Sequence, residues 1–108
     1  MITLDPTAGY LTLINTFTVE PDDAERLLDE LTRATRDQFQ NQPGFISANL
    51  HLDVDRTHVT NYAQWRSRAD YDAATQNDDV KQHMARAARL ATSFDPIFYE
   101  LRESIGAS

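Results

Sequence analysis

The sequence predicts an α+β fold in which helices cover one face of a four-stranded antiparallel sheet. Four segments have the alternating apolar and polar residues of strands, and two carry apolar residues at helical spacing. They follow one another as strand, helix, strand, strand, helix, strand, which is the order of the ferredoxin-like arrangement. With 108 residues, 41% of them hydrophobic and 25% charged, the chain is typical of one globular domain.

We expect residues 10–103 to form this single domain. Residues 1–9 contain Pro6 and Gly9 and little apolar content, so we predict a flexible leader, and residues 104–108 are predicted to be a short tail.

The first half of the domain is predicted to be a strand and an amphipathic helix. Tyr10–Val19 is rich in β-branched and aromatic residues. Its alternation places on one face Leu11, Leu13, Asn15 and Phe17. Pro21 and two following carboxylates are typical of a helix start, and the helical period continues to about Phe39. Pro43 and Gly44 end the helix.

A hairpin is predicted next, from residues 44–54 and Thr57–Trp65. In its first strand the alternation sets Ile46, Ala48, Leu50 and Leu52 against Phe45, Ser47, Asn49 and His51. In its second strand the residues that share a face are Val59, Asn61, Ala63 and Trp65.

The last part of the domain is predicted to be helical from Arg68 to Thr92, followed by a strand over Ile97–Arg102. Ser67 is suited to cap this helix, with Asp70 at capping-box spacing. The polar stretch 76–79 interrupts the apolar period, so we expect a break there.

The second face of the predicted sheet has no helix to cover it, although the strands carry apolar residues on both faces. A bare apolar face of this size is typical of an interface. We therefore expect a homodimer in which two sheets pack against each other.

Composition excludes several classes of function. Ten Lys and Arg against seventeen Asp and Glu give a net charge of −7, which argues against binding to nucleic acid or to an anionic membrane surface. The absence of cysteine excludes disulfides, thiolate metal sites and a cysteine nucleophile. No signal peptide and no apolar run of about 18 residues is present, so we expect a cytoplasmic, soluble protein.

Metal, phosphate and nucleophile motifs are also absent from the sequence. His51, His58 and His83 do not occur at metal-ligand spacing, so no metal site is expected. The three glycines are isolated, whereas a phosphate-binding loop needs several glycines close together in the sequence. No nucleophile elbow is found.

Asn61, Trp65 and Tyr71 form the most informative cluster. An amide on a buried strand face costs about 1–3 kcal/mol unless it is hydrogen-bonded, so Asn61 needs a partner. Spacing alone leaves two interpretations open for Asn61, a tie to neighbouring backbone or a contact with a ligand. By itself Trp65 is compatible with a large core anchor.

The segments PGFISANLH (residues 43–51) and VTNYAQWRS (residues 59–67) resemble the antibiotic biosynthesis monooxygenase family. The resemblance extends from about Leu13 to Arg102. It implies a ferredoxin-like fold and a dimeric α+β barrel.

Within that family the chain resembles the anthrone monooxygenases of aromatic polyketide pathways, which use O2 without metal, flavin or haem. The resemblance implies that the pocket residues are His51, Asn61, Trp65 and Tyr71. An arginine of the last helix is implied as well. Arg86 is one position later than the family pattern, and Arg89 is its rival as a substrate-binding residue.

The resemblance implies a small aromatic substrate that supplies the reducing electrons itself, because loss of its acidic C–H proton gives an electron-rich anion. Asn61 and Tyr71 would then polarise a developing phenolate oxygen. Trp65 would supply a stacking wall, and His51 would accept the proton.

Two alternatives remain at this point. One is a non-catalytic or cyclase-type barrel that binds an aromatic ligand. The other is a haem-degrading enzyme, for which Asn15 would contact the ligand beside Trp65 and His83 would ligate the iron.

Overall fold

The computed structural model describes residues 2–108 and confirms the predicted order of elements. The strands and helices are β1 (Leu11–Thr18), α1 (Ala24–Asp37), β2 (Phe45–Leu52), β3 (His58–Trp65), α2 (Arg68–Thr75), α3 (Asp78–Leu90) and β4 (Ser93–Glu100). Single 3-10 turns occupy Pro21–Asp23 and Phe39–Asn41.

The four strands form one sheet in the order β2-β3-β1-β4, with every neighbouring pair antiparallel. Each helical connection therefore passes over an intervening strand, as a ferredoxin-like fold requires. The helices lie on one face of the sheet, which we call the inner face, and the opposite one is the outer face. No helix of residues 2–108 is both long and apolar enough to cross a membrane.

The core lies between the inner face and the helices, in two clusters. The larger cluster joins Phe17 and Val59 of the sheet to Leu27 and Leu31 of α1. The smaller one surrounds Trp65, which is only 2% exposed. Burial of each large apolar side chain stabilises the fold by about 1.5–3 kcal/mol, so the alternation of β1 and β3 determines which face receives the helices.

The predicted break in the second helical region is confirmed, because α2 ends at Thr75 and α3 begins at Asp78. Asn77 caps α3: its side-chain oxygen accepts hydrogen bonds from the backbone N–H groups of Asp79 and Val80, at 2.9 and 3.2 Å. The Ser67 cap is confirmed as well, since its hydroxyl accepts from the Asp70 N–H at 3.1 Å.

Two predicted boundaries are wrong. The final strand begins at Ser93 and contains Pro96, which an edge strand tolerates because one side of its backbone needs no partner. The first helix ends at Asp37, so Phe39 lies in a separate 3-10 turn.

The alternation predicted for β2 is wrong at its start. Phe45 lies opposite Trp65 and Ser47 lies opposite Gln64, so Ile46 is an extra residue in the strand. This β-bulge moves Phe45 from the face of Ser47 to the inner face.

The leader contacts the outer face at one point. Gln64 donates a hydrogen bond from Nε2 to the carbonyl oxygen of Thr3 at 3.1 Å, and its Oε1 accepts from the Ser47 hydroxyl at 2.8 Å. The polar residues at this end of the outer face are therefore buried and paired. The domain boundaries predicted at residues 10 and 103 stay predictions.

Gly44 is the glycine for which the fold has a specific requirement. Its φ is 84°, and a Cβ added there would lie 2.4 Å from the Asp70 Cγ. The Asp70 carboxylate is itself held by Arg66 at 2.8 Å, so it cannot simply turn away.

We expect Gly44→Ala to lower the free energy of unfolding by about 3 kcal/mol, because it adds a left-handed strain and a steric clash. Gly9→Ala is the matched control, since Gly9 has φ 71° but nothing within 4 Å of its added Cβ. The control is expected to lose about 1 kcal/mol, from backbone strain alone. Urea unfolding measures both, and equal losses would contradict the clash with Asp70.

Candidate active site

A narrow cavity of about 40 Å³ lies between the inner face and helices α1 and α3. The sheet contributes its floor, and α1 and α3 contribute Leu31, Ala34, Thr35 and Met84. Most lining side chains are apolar. The Thr35 hydroxyl donates its hydrogen to the Leu31 carbonyl oxygen at 2.8 Å, so it can offer a ligand only an acceptor.

Two asparagine amides form the polar part of the cavity floor. Asn15 of β1 and Asn61 of β3 lie directly opposite each other in the antiparallel register, and both line the cavity. Within residues 2–108, the side-chain oxygens of these two amides are the buried side-chain polar atoms that lack a hydrogen-bond partner. Leaving a buried acceptor unpaired costs about 1–3 kcal/mol, and a group that supplies hydrogen-bond donors at this place would remove that cost.

Aromatic side chains form the wall at one end of the cavity, around Trp65. Trp65 contacts Phe39, Phe45 and Tyr71 edge-on, with ring centroids 5.9, 5.4 and 5.6 Å away. Edge-to-face contacts of this kind stabilise a fixed arrangement of rings.

Tyr71 is held between Trp65 and Phe98, whose ring centroid is 5.3 Å from its own. Burial raises the pKa of the Tyr71 hydroxyl, and the Asp72 carboxylate adds to the effect while Arg68 opposes it. The hydroxyl therefore stays protonated at neutral pH and keeps a hydrogen to donate.

The structure brings Asn15, Asn61, Trp65 and Tyr71 together, as the sequence predicts, but it does not bring His51 to them. His51 is exposed on the outer face, and its Nδ1 lies 3.1 Å from the Asn49 carbonyl oxygen. The expectation that His51 lines the pocket is wrong for this chain, because residues of β2 that alternate with the cavity-lining Ala48 point to the other side of the sheet.

The predicted substrate-binding arginines and the candidate haem ligand also lie outside the cavity lining. Arg86 donates from Nε to Glu30 Oε1 at 2.9 Å, and His83 Nδ1 lies 3.0 Å from the same oxygen and 3.0 Å from Arg86 Nη2. Both side chains are thus bound to α1, and Arg89 is exposed. The positions of these residues depend on how α3 is rotated about its own axis relative to α1. A helical period in the sequence does not specify that rotation.

The sequence reasoning missed Phe39 and Phe45 as parts of the wall. A signal for Phe45 was its place directly after Pro43 and Gly44, where bulges that re-aim a side chain are common. Phe39 offered no such signal, because it was counted as the end of a helix. Within the described range 2–108, no three histidine, aspartate or glutamate side chains are grouped so as to hold a metal ion.

The fold and the cavity together define a small α+β domain with a largely apolar, aromatic-walled cavity whose floor carries two amides. Residues 10–86 match the antibiotic biosynthesis monooxygenase family. The chain belongs to this family.

Known relatives agree with that assignment. The tetracenomycin-F1 monooxygenase of Streptomyces glaucescens is 39% identical over 108 residues, which are all of this chain and 96% of the relative. The crystal structure of ActVA-Orf6, a monooxygenase of Streptomyces coelicolor in complex with nanaomycin D, superposes with a TM-score of 0.82 at 28% identity and covers 96% of each chain. These similarities support an oxygenase activity for this chain.

SnoaB of Streptomyces nogalater, described as a cofactor-independent oxygenase, shares the fold. Its structure gives a TM-score of 0.80 at 21% identity, over 92% of this chain and 99% of SnoaB.

The Glu30 cluster predicts a pH-dependent contribution to stability. Burial of the Glu30 carboxyl raises its pKa, but the hydrogen bonds and charges of His83 and Arg86 outweigh burial and hold the pKa below its ordinary value of 4.5. A carboxyl whose pKa is lower in the folded state than in the unfolded state stabilises the fold at pH values above its unfolded-state pKa. This contribution is lost as the pH falls through its folded-state pKa.

We expect Glu30→Gln to lower the free energy of unfolding by about 1–2 kcal/mol at pH 7, because it weakens two charge-assisted hydrogen bonds. The difference from wild type should shrink as the pH falls below 4.5. Denaturant unfolding between pH 3 and 7 measures it. Glu25→Gln, at an exposed position of the same helix, is the control; if it produced the same loss and the same pH profile, the assignment to the buried cluster would fail.

Proposed function

We propose that the chain is a cofactor-independent monooxygenase that oxidises a phenolic aromatic substrate, of anthrone or quinol type, to a quinone with O2. The observation that carries this proposal is the pair of facing amides with unpartnered oxygens, Asn15 and Asn61, in a cavity that is otherwise apolar and aromatic. The relatives named for tetracenomycin F1 and crystallised with nanaomycin D support an aromatic polyketide as the substrate.

The arrangement favours the hydroxylated form of such a substrate. The two free amide oxygens accept hydrogen bonds, so they prefer an O–H group at the substrate edge over a bare carbonyl. An anthrone meets this preference as its enol tautomer, which is also the form that ionises to an electron-rich anion. Trp65 and Tyr71 then border the substrate rings.

The oxidation can be balanced without a bound cofactor. The anion passes one electron to O2, and the resulting substrate radical and superoxide combine to form a C–O bond. Loss of water from the hydroperoxide then leaves a carbonyl, so one CH2 group and one O2 become one C=O group and one H2O. The substrate supplies all the electrons, which is consistent with the description of SnoaB as cofactor-independent.

The protein accelerates these steps by orientation and polarisation. The Asn61 oxygen holds the enol O–H before it ionises. As the substrate ionises, the Tyr71 hydroxyl stabilises charge on the phenolate oxygen, and a preorganised donor is most effective in a dry cavity. Among the lining residues that the structure describes, Tyr71 is the titratable one, and it is protonated. The enol O–H proton therefore passes to solvent water rather than to His51, and the peroxide anion takes a proton back from water to form the hydroperoxide.

We expect Asn61→Ala to lower kcat for oxidation of dithranol, a model anthrone, by about 100-fold, as removal of one preorganised hydrogen-bonding group does in other sites. Oxygen uptake and quinone absorbance, each corrected for the reaction in buffer, measure the rate. Asn49→Ala is the matched control, because Asn49 is an asparagine of the same sheet that donates to the Tyr62 carbonyl oxygen outside the cavity.

Trp65→Phe and Asn15→Ala test the remaining floor and wall. If Asn61→Ala and Trp65→Phe both oxidise dithranol at the wild-type rate, the site assignment is wrong. A protein that binds the quinone but consumes no O2 would instead be the binding module considered from the sequence.

We also propose that two chains associate through their outer faces. Ile97 and Tyr99 of β4 are 42% and 43% exposed, and Ile14 and Tyr62 add apolar area beside them. A contiguous apolar face is unusual on a monomer. Burying it against a second copy would also cover the edge strand β4.

Light scattering is expected to give twice the chain mass of 12.3 kDa at micromolar concentration. Ile97→Glu should shift the mass toward one chain, because it would bury a charge in the interface. Val54→Glu, at a hairpin position that is 98% exposed, should leave the mass unchanged. A wild-type mass of one chain would refute the dimer.

A further inference from the structure

We propose that Phe39 gates the cavity and determines which aromatic substrates enter it. We call this movable residue the door. The proposal rests on the proposed function only in taking the cavity as the place where the substrate binds.

The size of the cavity makes a moving part necessary. It holds about 40 Å³, whereas sites for ligands of a few fused rings are about 300 Å³ or larger. A three-ring substrate therefore has no room until part of the wall moves outward. The wall that moves decides both how fast the substrate enters and how large it is allowed to be.

Four of the five aromatic side chains that line the cavity are unsuited to this movement. Phe17 is 3% exposed and stands on the strand β1. Trp65 is 2% exposed and stands on the strand β3. Phe45 lies opposite it in the sheet register, on β2. Tyr71 is enclosed between two rings and stands on α2, whose first turn is capped by Ser67. The backbones of these residues are fixed in sheet or helix, so their rings can move only by side-chain rotation within the packed cluster.

Phe39 is held much less firmly. It begins a three-residue 3-10 turn that has no side-chain cap, and its own ring contact is the edge-on contact with Trp65. The hydrogen bonds of this turn are local: Gln42 N–H donates to the Phe39 carbonyl, and Asn41 N–H donates to the Gln38 carbonyl. Its neighbours Gln40 and Asn41 are exposed, so an outward swing displaces only solvent.

Both ends of the segment that carries Phe39 are fixed. At one end the Gln38 N–H donates to the Ala34 carbonyl of α1 at 3.1 Å. At the other end Gly44 is pressed against Asp70, and its carbonyl accepts from the Arg66 N–H at 2.7 Å. Movement is thus confined to residues 38–43, which makes the segment a door with two anchored ends rather than a frayed loop.

The test compares Phe39→Ala with Phe45→Ala, which removes the same kind of side chain, also in contact with Trp65, from the anchored strand β2. The probe is the quinone product of dithranol, which binds without turnover. Trp65 is the only tryptophan of the chain, so its fluorescence reports the filling of the cavity in both variants. Stopped-flow mixing gives the association rate constant.

We expect Phe39→Ala to raise the association rate constant about tenfold, because binding no longer waits for the door to open. Phe45→Ala is expected not to raise it. With the door removed, the ratio of kcat/KM for a four-ring to a three-ring substrate should also rise. Phe39→Leu, a smaller change to the fold, should give an intermediate rate and keeps the test informative if the alanine variant unfolds.

An unchanged association rate in folded Phe39→Ala or Phe39→Leu would overturn the door, as would an equal rise in Phe45→Ala. If the quinone alters Trp65 fluorescence in none of the proteins, wild type included, the cavity is not the binding site, and the proposed function fails together with the door. Binding to the wild type with unchanged rates in the variants refutes the door alone.

Discussion

The antiparallel register between β1 and β3 is the constraint on which the site depends. It sets Leu13 opposite Ala63 and Asn15 opposite Asn61, all with their side chains toward the helices. A slip of β1 by one residue would turn Asn15 to the outer face and bring threonines into the core, and a slip of β3 would turn Asn61 outward and bring Tyr62 in. The same hydrophobic burial that selects the register therefore also assembles the polar floor, and no separate device is needed to hold the two amides together.

This floor is a compromise between stability and function. Two amide oxygens without partners each cost about 1–3 kcal/mol in a chain whose total stability is expected to be about 5–15 kcal/mol. Burial of apolar side chains around the two amides compensates for this cost. Phe17 and Val59 at one end of the floor and Trp65 at the other end are almost completely buried. Polar groups that lower stability without an evident structural return are typical of functional sites.

Features that depend on interactions between residues close in the sequence could be predicted, and features that depend on contacts between distant residues could not. Alternation along β1 and β3 placed Asn15, Asn61 and Trp65 correctly, because a strand face is a local property. The caps at Ser67 and the break before α3 were local too. Phe45 was assigned to the wrong face because the bulge at Ile46 depends on pairing with β3.

The errors at Arg86 and His51 have other physical causes. Arg86 and His83 share Glu30, a residue more than fifty positions away, and the rotation of α3 that makes this possible results from packing. His51 was placed in the pocket by resemblance although its own strand period pointed it outward, and the structure agrees with the period.

Asp70 connects parts of the molecule that would otherwise be independent. Its carboxylate accepts from Arg66 and from the Ser67 hydroxyl that begins α2, and the same side chain packs against Gly44. The helix that carries Tyr71 and the segment that carries Phe39 are thus anchored on one carboxylate. Changes on the two sides of the cavity should therefore be energetically coupled rather than additive, and the strength of that coupling depends on a residue that touches neither the ligand nor the cavity.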